Sequence, residues 1–195
     1  MSRLPLRALS LGPHRVAMPV LLAPMAGVSD LPFRELCRSY GAGYAVGEML
    51  SCRQELWSTQ KSRQRHVQTQ EQGLRIVQIV GHDPDMMAAA AQAQAAQGAE
   101  VIDINMGCPA KKVCNRLAGS ALMQDLPLAR RILTAVVAAV TIPVTLKMRT
   151  GPTPEQRNGP ELARIAEDIG APAAGPASAP TRPGDCRLFS LGSPC

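Results

Sequence analysis

The sequence has very few aromatic residues: Phe, Trp and Tyr together make up 3% of its 195 residues. Proteins that bind single-stranded RNA by stacking its bases need several such side chains on one surface. The scarcity of aromatics therefore argues against a base-stacking platform. Because hydrophobic residues still make up 46% of the chain, a packed core is expected, built from Ala, Val, Leu, Ile and Met.

The sequence also lacks the patterns of a metal site, a secretion signal and a membrane span. None of the six cysteines forms a Cys-x-x-Cys pair, and the three histidines lie far from any cysteine cluster, so no zinc site is expected. Arginines and prolines interrupt positions 1–17, unlike a signal peptide, and no apolar run is long enough to span a membrane. We therefore expect a cytoplasmic protein with free thiols that binds neither metal nor membrane.

The balance of charge is basic, with a net charge of +6 and a pI of about 9.3. Such an excess is compatible with a polyanionic partner such as a nucleic acid. It is also typical of a soluble protein that is rich in arginine, and charge alone favours this second interpretation.

Short apolar runs alternate with helical patterns up to residue 170. Strands are predicted at 20–23, 43–49, 75–80, 101–104 and 142–148, with helices starting after Asp30, Asp83, Asp125 and Asn158. Continuous apolar strands joined by helices predict a parallel sheet covered by helices. Five units in series favour a TIM-type (β/α)₈ barrel, here truncated after about five β/α units, since 195 residues are short for the complete fold of about 250. A doubly wound open sheet is less favoured because no Gly-x-Gly-x-x-Gly turn follows a strand.

The pattern changes abruptly after residue 170. Five of the 25 residues in 171–195 are proline, and no strand or helix period is visible, so we predict a disordered tail. The predicted organisation is a partial barrel at 1–170 and a Pro/Ala-rich segment at 171–195. A reading-frame shift or a truncation in the source sequence would explain the change, and a His-Gly-Arg motif in another frame would support this hypothesis.

Polar residues occur within or directly after the predicted strands. In a barrel, the carboxyl ends of the strands form the site, and polar groups buried there need partners. Several such residues on one rim indicate a shared polar ligand. They are Glu48, Gln78, Asp103, Asn105, Lys147 and Arg149.

Two of these residues allow both a functional and a structural interpretation. The amide of Gln78 suits the edge of a heterocycle with alternating donors and acceptors, but a core glutamine bonded to backbone is about equally compatible. Lys147 could offset negative charge on a reduced ring or bind a phosphate. Its structural alternative is an ion pair with Asp103 or Glu48.

Cys108 lies between Gly107 and Pro109, in a turn directly after a strand. A thiol there could act as nucleophile, as acid or in packing. Because no histidine is near in sequence, proton donation is easier to support than thiolate attack. The basic residues that follow, Lys111, Lys112 and Arg116, could bind phosphate or form a solvated loop. Cys37, at helical spacing from Phe33, is expected in the core.

Five segments, in this order and spacing, resemble the tRNA-dihydrouridine synthases, and most of all the bacterial B type. They are LAPMAGVSDLPFR at 22–34, GEM at 47–49, VQIVG at 77–81, DINMGCPAKKV at 103–113 and LKMRTG at 146–151. The resemblance implies an FMN-bearing (β/α)₈ barrel, followed by a helical tRNA-binding domain that has no counterpart here. Family members usually carry Ser where this chain has Gly47, and Cys114 is an extra residue.

The resemblance also implies the reaction and the roles of residues. NADPH reduces the flavin, which delivers hydride to C6 of a uridine in tRNA, and Cys108 protonates C5. Gln78 and Lys147 bond the flavin ring, and Asn105 orients the uracil together with Arg149. The flavin is lined by Pro24, Met25 and Ala26. A complete enzyme is expected to be monomeric. The alternatives are a non-catalytic remnant of such an enzyme or another FMN barrel, such as dihydroorotate dehydrogenase, against which the pair Lys111-Lys112 argues.

Overall fold

The computed structural model describes residues 8–109 and 118–170, together with the backbone of residues 186–191. Short 3₁₀ turns at Gln54–Leu56 and Gly119–Gln124 accompany the regular elements. These elements are β1 (Leu9–Leu11), β2 (His14–Val16), β3 (Leu21–Leu22), α1 (Leu31–Ser39), β4 (Tyr44–Ala45), β5 (Leu50–Ser51), α2 (Gln60–Arg63), β6 (Ile76–Val80), α3 (Pro84–Ala96), β7 (Val101–Met106), α4 (Leu126–Ala139), β8 (Val144–Arg149), α5 (Gly159–Ile169) and β9 (Cys186–Leu191).

The main sheet contains four parallel strands in the order β5-β6-β7-β8, with β9 added antiparallel at β8. β3 and β4 form a separate parallel pair, and β1 and β2 form an antiparallel hairpin. Of the predicted strand at 43–49, only Tyr44–Ala45 is a strand, β4, which pairs with β3. β5, which pairs with β6, follows at Leu50–Ser51, just beyond the predicted end. Parallel strands that alternate with helices confirm the predicted fold class, part of a TIM-type (β/α)₈ barrel.

The helices begin where the sequence predicts. The side chains of Asp30, Asp83 and Asp125 each accept a hydrogen bond from a backbone N–H in the first turn of α1, α3 and α4, which satisfies a donor that the helix leaves open. Gly98, after α3, has a φ of 100°, a conformation that other residues rarely adopt. The main core lies between the sheet and α3, α4 and α5.

The buried side of α1 differs from the prediction. Leu36 and Tyr40 are 52% and 86% exposed, and Cys37 is only half-buried, whereas Arg34 is 3% exposed. The reason is an ion pair: Arg34 donates to both carboxylate oxygens of Glu71, at 2.8 and 2.5 Å. This bidentate contact places the polar side of α1, instead of its apolar side, against the rest of the protein.

The first strand of the barrel is less covered than its apolar sequence predicts. Val20 and Leu21 are 51% and 37% exposed. Among the described residues, β3 pairs with β4 alone, so its other edge and its side chains lack the cover that a strand receives within a closed barrel. The prediction of a buried strand at 20–23 is wrong in this respect.

Six residues of the predicted disordered tail form a strand. The backbone of Cys186–Leu191 pairs antiparallel along the whole of β8, from Cys186 opposite Arg149 to Leu191 opposite Val144. An edge strand presents unpaired N–H and C=O groups that attract another extended segment, which explains this correction. The rest of the tail, 171–185 and 192–195, lies outside the described residues.

Candidate functional site

A layer of buried polar side chains crosses three neighbouring strands. Gln78 on β6, Asp103 on β7 and Thr145 on β8 are in register and at most 1% exposed. The carboxylate of Asp103 accepts from both sides, 2.5 Å from Gln78 Nε2 and 2.5 Å from Thr145 Oγ1. The Tyr44 hydroxyl lies 3.5 Å from Thr145 Oγ1. Since residues in register point to the same face of a sheet, these groups form one connected cluster.

Burial dominates the acid chemistry of this layer. It raises the pKa of Asp103 from its ordinary value of 3.8 to about 6, although hydrogen bonds from Thr145 and Gln78 and the charge of Lys147 act in the opposite direction. Burial, followed by the nearby charge of Asp103, also raises the pKa of Tyr44. A carboxyl that titrates near neutrality inside a sheet is typical of functional sites, although structural networks show it too.

Asn105 connects this layer to the turn that carries Cys108. Its Nδ2 donates to Gln78 Oε1 at 2.9 Å. Its Oδ1 accepts from the backbone N–H groups of Gly107 and Cys108, at 3.2 and 3.0 Å. The side chain therefore bridges the interior of the sheet and the turn, and it is 5% exposed.

Two further hydrogen bonds hold the carbonyls of the same turn. Arg149 Nε donates to Gly107 O at 3.0 Å, and Ser120 N donates to Cys108 O at 3.0 Å. All four backbone polar groups of Gly107 and Cys108 thus have partners, which gives the half-buried Cys108 a defined place at the end of β7. Lys147 lies on β8 opposite Asn105.

The other predicted flavin contacts lie on the loop between β3 and α1. This loop is held by Ser29, whose Oγ accepts from Met25 N at 2.8 Å. Met25 is 40% exposed. Within the described part of the chain, Pro24, Met25 and Ala26 take no part in the hydrogen bonds that join Gln78 to the turn.

The structure gives the contacts of some residues whose roles the sequence left open. Gln78 bonds to two side chains rather than to backbone. Glu48 pairs with Arg65 at 3.1 Å, while the charge of Lys147 acts on Asp103. The predicted phosphate contacts Lys111, Lys112 and Arg116, and also Cys114, lie outside the described residues.

Two members of the cluster, Tyr44 and Thr145, escape the sequence prediction. Thr145 could have been found from strand alternation, because it lies two residues before Lys147 on β8 and therefore on the same face. Tyr44 carries no comparable signal, since it pairs through its hydroxyl with a residue 101 positions away.

A cavity of about 490 Å³ lies at the carboxyl ends of β5 and β6. This is the edge at which parallel α/β sheets bind ligands. Its lining combines apolar and charged side chains, among them Met49, Cys52, Arg53, Val80, His82 and Asp83. Within the described residues no group of three or more His, Cys, Asp or Glu is placed to hold a metal ion, and no described helix is both long and apolar enough to cross a membrane.

Comparison with known proteins gives a consistent result. The family model for dihydrouridine synthase (Dus) matches residues 21–174. Over 162 residues, the chain is 59% identical to tRNA-dihydrouridine synthase B of Shewanella oneidensis, covering 83% of this chain and 50% of the relative. It is 59% identical over 160 residues to the protein of the same name from Serratia marcescens, covering 82% and 48%, and 60% identical over 151 residues to that from Yersinia pestis, covering 77% and 47%.

The chain therefore spans about half the length of these curated relatives. A solved histamine dehydrogenase from Rhizobium sp. 4-9 is similar over 72% of this chain and 33% of its own, with a TM-score of 0.49 and 12% identity, too weak a likeness to add to the argument. The family match covers most of the chain and includes every residue of the buried cluster, so the chain belongs to the dihydrouridine synthase (Dus) family.

Proposed function

We propose that this chain serves the FMN-dependent, NADPH-using reduction of specific uridines in tRNA to 5,6-dihydrouridine, with Cys108 as the proton donor. The observation that carries the proposal is the turn at Gly107 and Cys108, which Asn105 ties directly to Gln78. A thiol is thereby held at the carboxyl edge of the sheet beside an amide suited to a heterocycle. Family membership supports the same reaction.

The donor set fits a flavin ring. After its two hydrogen bonds to Asp103 and Asn105, the amide of Gln78 keeps one N–H and one acceptor position, enough for one donor and one acceptor of a ring edge. Lys147 adds a positive charge suited to a reduced, anionic ring. Pro24, Met25 and Ala26 would line the ring from the β3 loop. When bound, FMN would supply the hydride for C6 of the uracil.

The protein's own part in the reaction is to position an acid. We propose that the thiol of Cys108 protonates C5 while Asn105 orients the uracil through its remaining N–H, alongside Arg149. Arg149 also fixes Gly107 O through its Nε. Cysteine is among the side chains that can serve as a general acid.

The substrate would enter as a base extruded from folded tRNA. Unstacking a base costs a few kcal/mol, which a shaped pocket at the sheet edge can offset. The basic net charge of +6 is compatible with a polyanionic partner. A cytoplasmic location is the expectation that accompanies a tRNA substrate.

The test is direct. The purified chain should bind FMN, seen as flavin absorbance that co-elutes with protein, and should reduce uridine in unmodified tRNA when NADPH is supplied. Cys108→Ala should retain flavin binding and lose about 100-fold or more of the uridine reduction, the scale of a general acid. Cys37→Ala, at a half-buried cysteine of α1, is the matched control and should remain active. Full activity of Cys108→Ala contradicts the proton-donor role.

One observation favours a second candidate, in which this 195-residue chain by itself is non-catalytic. Val20 and Leu21 of β3 are largely exposed, as expected for a sheet whose covering elements are absent from the described residues. This candidate predicts a protein without bound flavin and without turnover, whereas a yellow, active protein contradicts it.

A further inference from the structure

We propose that Asp103 is a positioning residue: as the acceptor at the end of one chain of hydrogen bonds, it holds the amide of Gln78 in the orientation that matches Asn105 and the turn that carries Cys108. The hydrogen bonds of this chain run across β6, β7 and β8 without interruption. The significance of its two ends for catalysis rests on the proposed function, but the positioning itself does not.

The direction follows from the groups at the two ends. At the turn, the N–H groups of Gly107 and Cys108 can only donate, so Asn105 must present Oδ1 to them. Its Nδ2 then faces Gln78, which must present Oε1. This leaves Gln78 Nε2 facing Asp103, whose carboxylate accepts the last hydrogen bond of the series.

The other side of Asp103 can adapt, whereas the Gln78 side cannot. Thr145 Oγ1 donates to Asp103 Oδ1, but a hydroxyl can rotate and accept instead. If Gln78 reversed its amide, its Nε2 would face the Nδ2 of Asn105, and two donors would meet in a buried site. An unmatched buried polar group costs about 1–3 kcal/mol, so the amide of Gln78 has one stable orientation as long as Asp103 accepts.

One substitution should therefore break the chain of hydrogen bonds, and a second should restore it. Gln78→Glu should place a second carboxylate against Asp103 and remove the donor between them. Adding Asp103→Asn supplies an amide that donates to Glu at position 78 and still accepts from Thr145, while Glu at position 78 accepts from Asn105. Asp103→Asn alone should be mild, because Thr145 can reverse its hydroxyl.

The test measures backbone amide hydrogen exchange at Gly107 and Cys108 by NMR, in the complete chain without added flavin, at about pH 8. Gln78→Glu should accelerate exchange of both amides about tenfold or more, and Gln78→Glu with Asp103→Asn should restore it to within about threefold of wild type. Asp103→Asn alone should stay within the same range. If the double variant exchanges as fast as Gln78→Glu alone, or if Gln78→Glu has no effect, the proposal is wrong. If Gln78→Glu does not fold, recovery of the folded spectrum in the double variant is the equivalent result.

Flavin binding separates this inference from the proposed function. The restored double variant carries a carboxylate instead of an amide at position 78, so its FMN affinity, measured by quenching of flavin fluorescence, should remain reduced while its turn is again ordered. Should the wild-type chain bind no FMN, the proposed function fails for this chain, and the exchange measurement still decides the role of Asp103.

Discussion

Replacing Asp103 by asparagine should change how the stability of the chain depends on pH. Asp103 is fully buried and is faced by Gln78 from β6, Thr145 and Lys147 from β8, and by Tyr44 beyond Thr145. Its pKa in the folded chain is about 6, compared with an ordinary value of 3.8. The folded chain therefore binds a proton at this site over a pH range in which the unfolded chain has released it.

The sign and the size of the effect follow from linkage. Because the folded pKa is raised, the contribution of Asp103 to the free energy of unfolding is greatest below about pH 4, falls as pH rises through about 6 and is constant above about pH 7. The difference between the folded and the ordinary pKa of Asp103 corresponds to roughly 3 kcal/mol in total. Of this, about 2 kcal/mol is lost between about pH 4.5 and 7.5. Asp103→Asn has no such titration.

The assay is urea unfolding of both proteins, followed by circular dichroism at several pH values in that window. The free energy of unfolding of wild type minus that of Asp103→Asn should decrease by about 2 kcal/mol from the acid to the neutral end. Taking this difference removes the contribution of the other carboxylates that both proteins share. A difference that stays constant, or that increases with pH, refutes the assignment of a raised pKa to Asp103.

Two further substitutions test packing and charge in the same unfolding assay. Gly81→Ala should destabilise the chain by about 1–3 kcal/mol, because a Cβ there would lie 2.8 Å from Met87 Sδ and collide with the thiol of Cys52. Gly107→Ala should cost less, because its Cβ would lie 3.6 Å or more from its neighbours. Glu71→Ala should cost about 3 kcal/mol or more, because it leaves two arginines without their buried carboxylate, whereas Glu55→Ala, in an exposed pair, should cost under about 1 kcal/mol. Equal losses within either pair would contradict the packing or the burial on which the comparison depends.

Strands and helix starts could be predicted because their signals are local. An Asp followed by proline and a helical pattern places the start of α3 and of α1 within a residue or two. Runs rich in apolar residues place β6, β7 and β8. The side chains at the carboxyl edge of the sheet follow from the polar residues that lie within or directly after those strands. Gln78, Asn105 and Lys147 could therefore be assigned to one edge before their contacts were known.

What depends on distant partners could not be predicted. The burial of Arg34 results from its ion pair with Glu71, 37 residues away. The periodicity of α1 carries no signal for this pair, so it could not predict that the polar side of the helix would be buried. The exposure of Val20 depends on which strands are present beside β3, and the pairing of β9 on the edge that β8 offers. The role of Asn105 in holding the cysteine turn requires the geometry of the turn itself.

The turn at Gly107 and Cys108 is held by three elements: Asn105 on β7 binds its two N–H groups, Arg149 at the end of β8 binds Gly107 O, and Ser120 in the 3₁₀ turn Gly119–Gln124 binds Cys108 O. These contacts join parts of the chain that are up to 42 residues apart. The position of the thiol therefore depends on the folded sheet and not on the sequence of the turn alone.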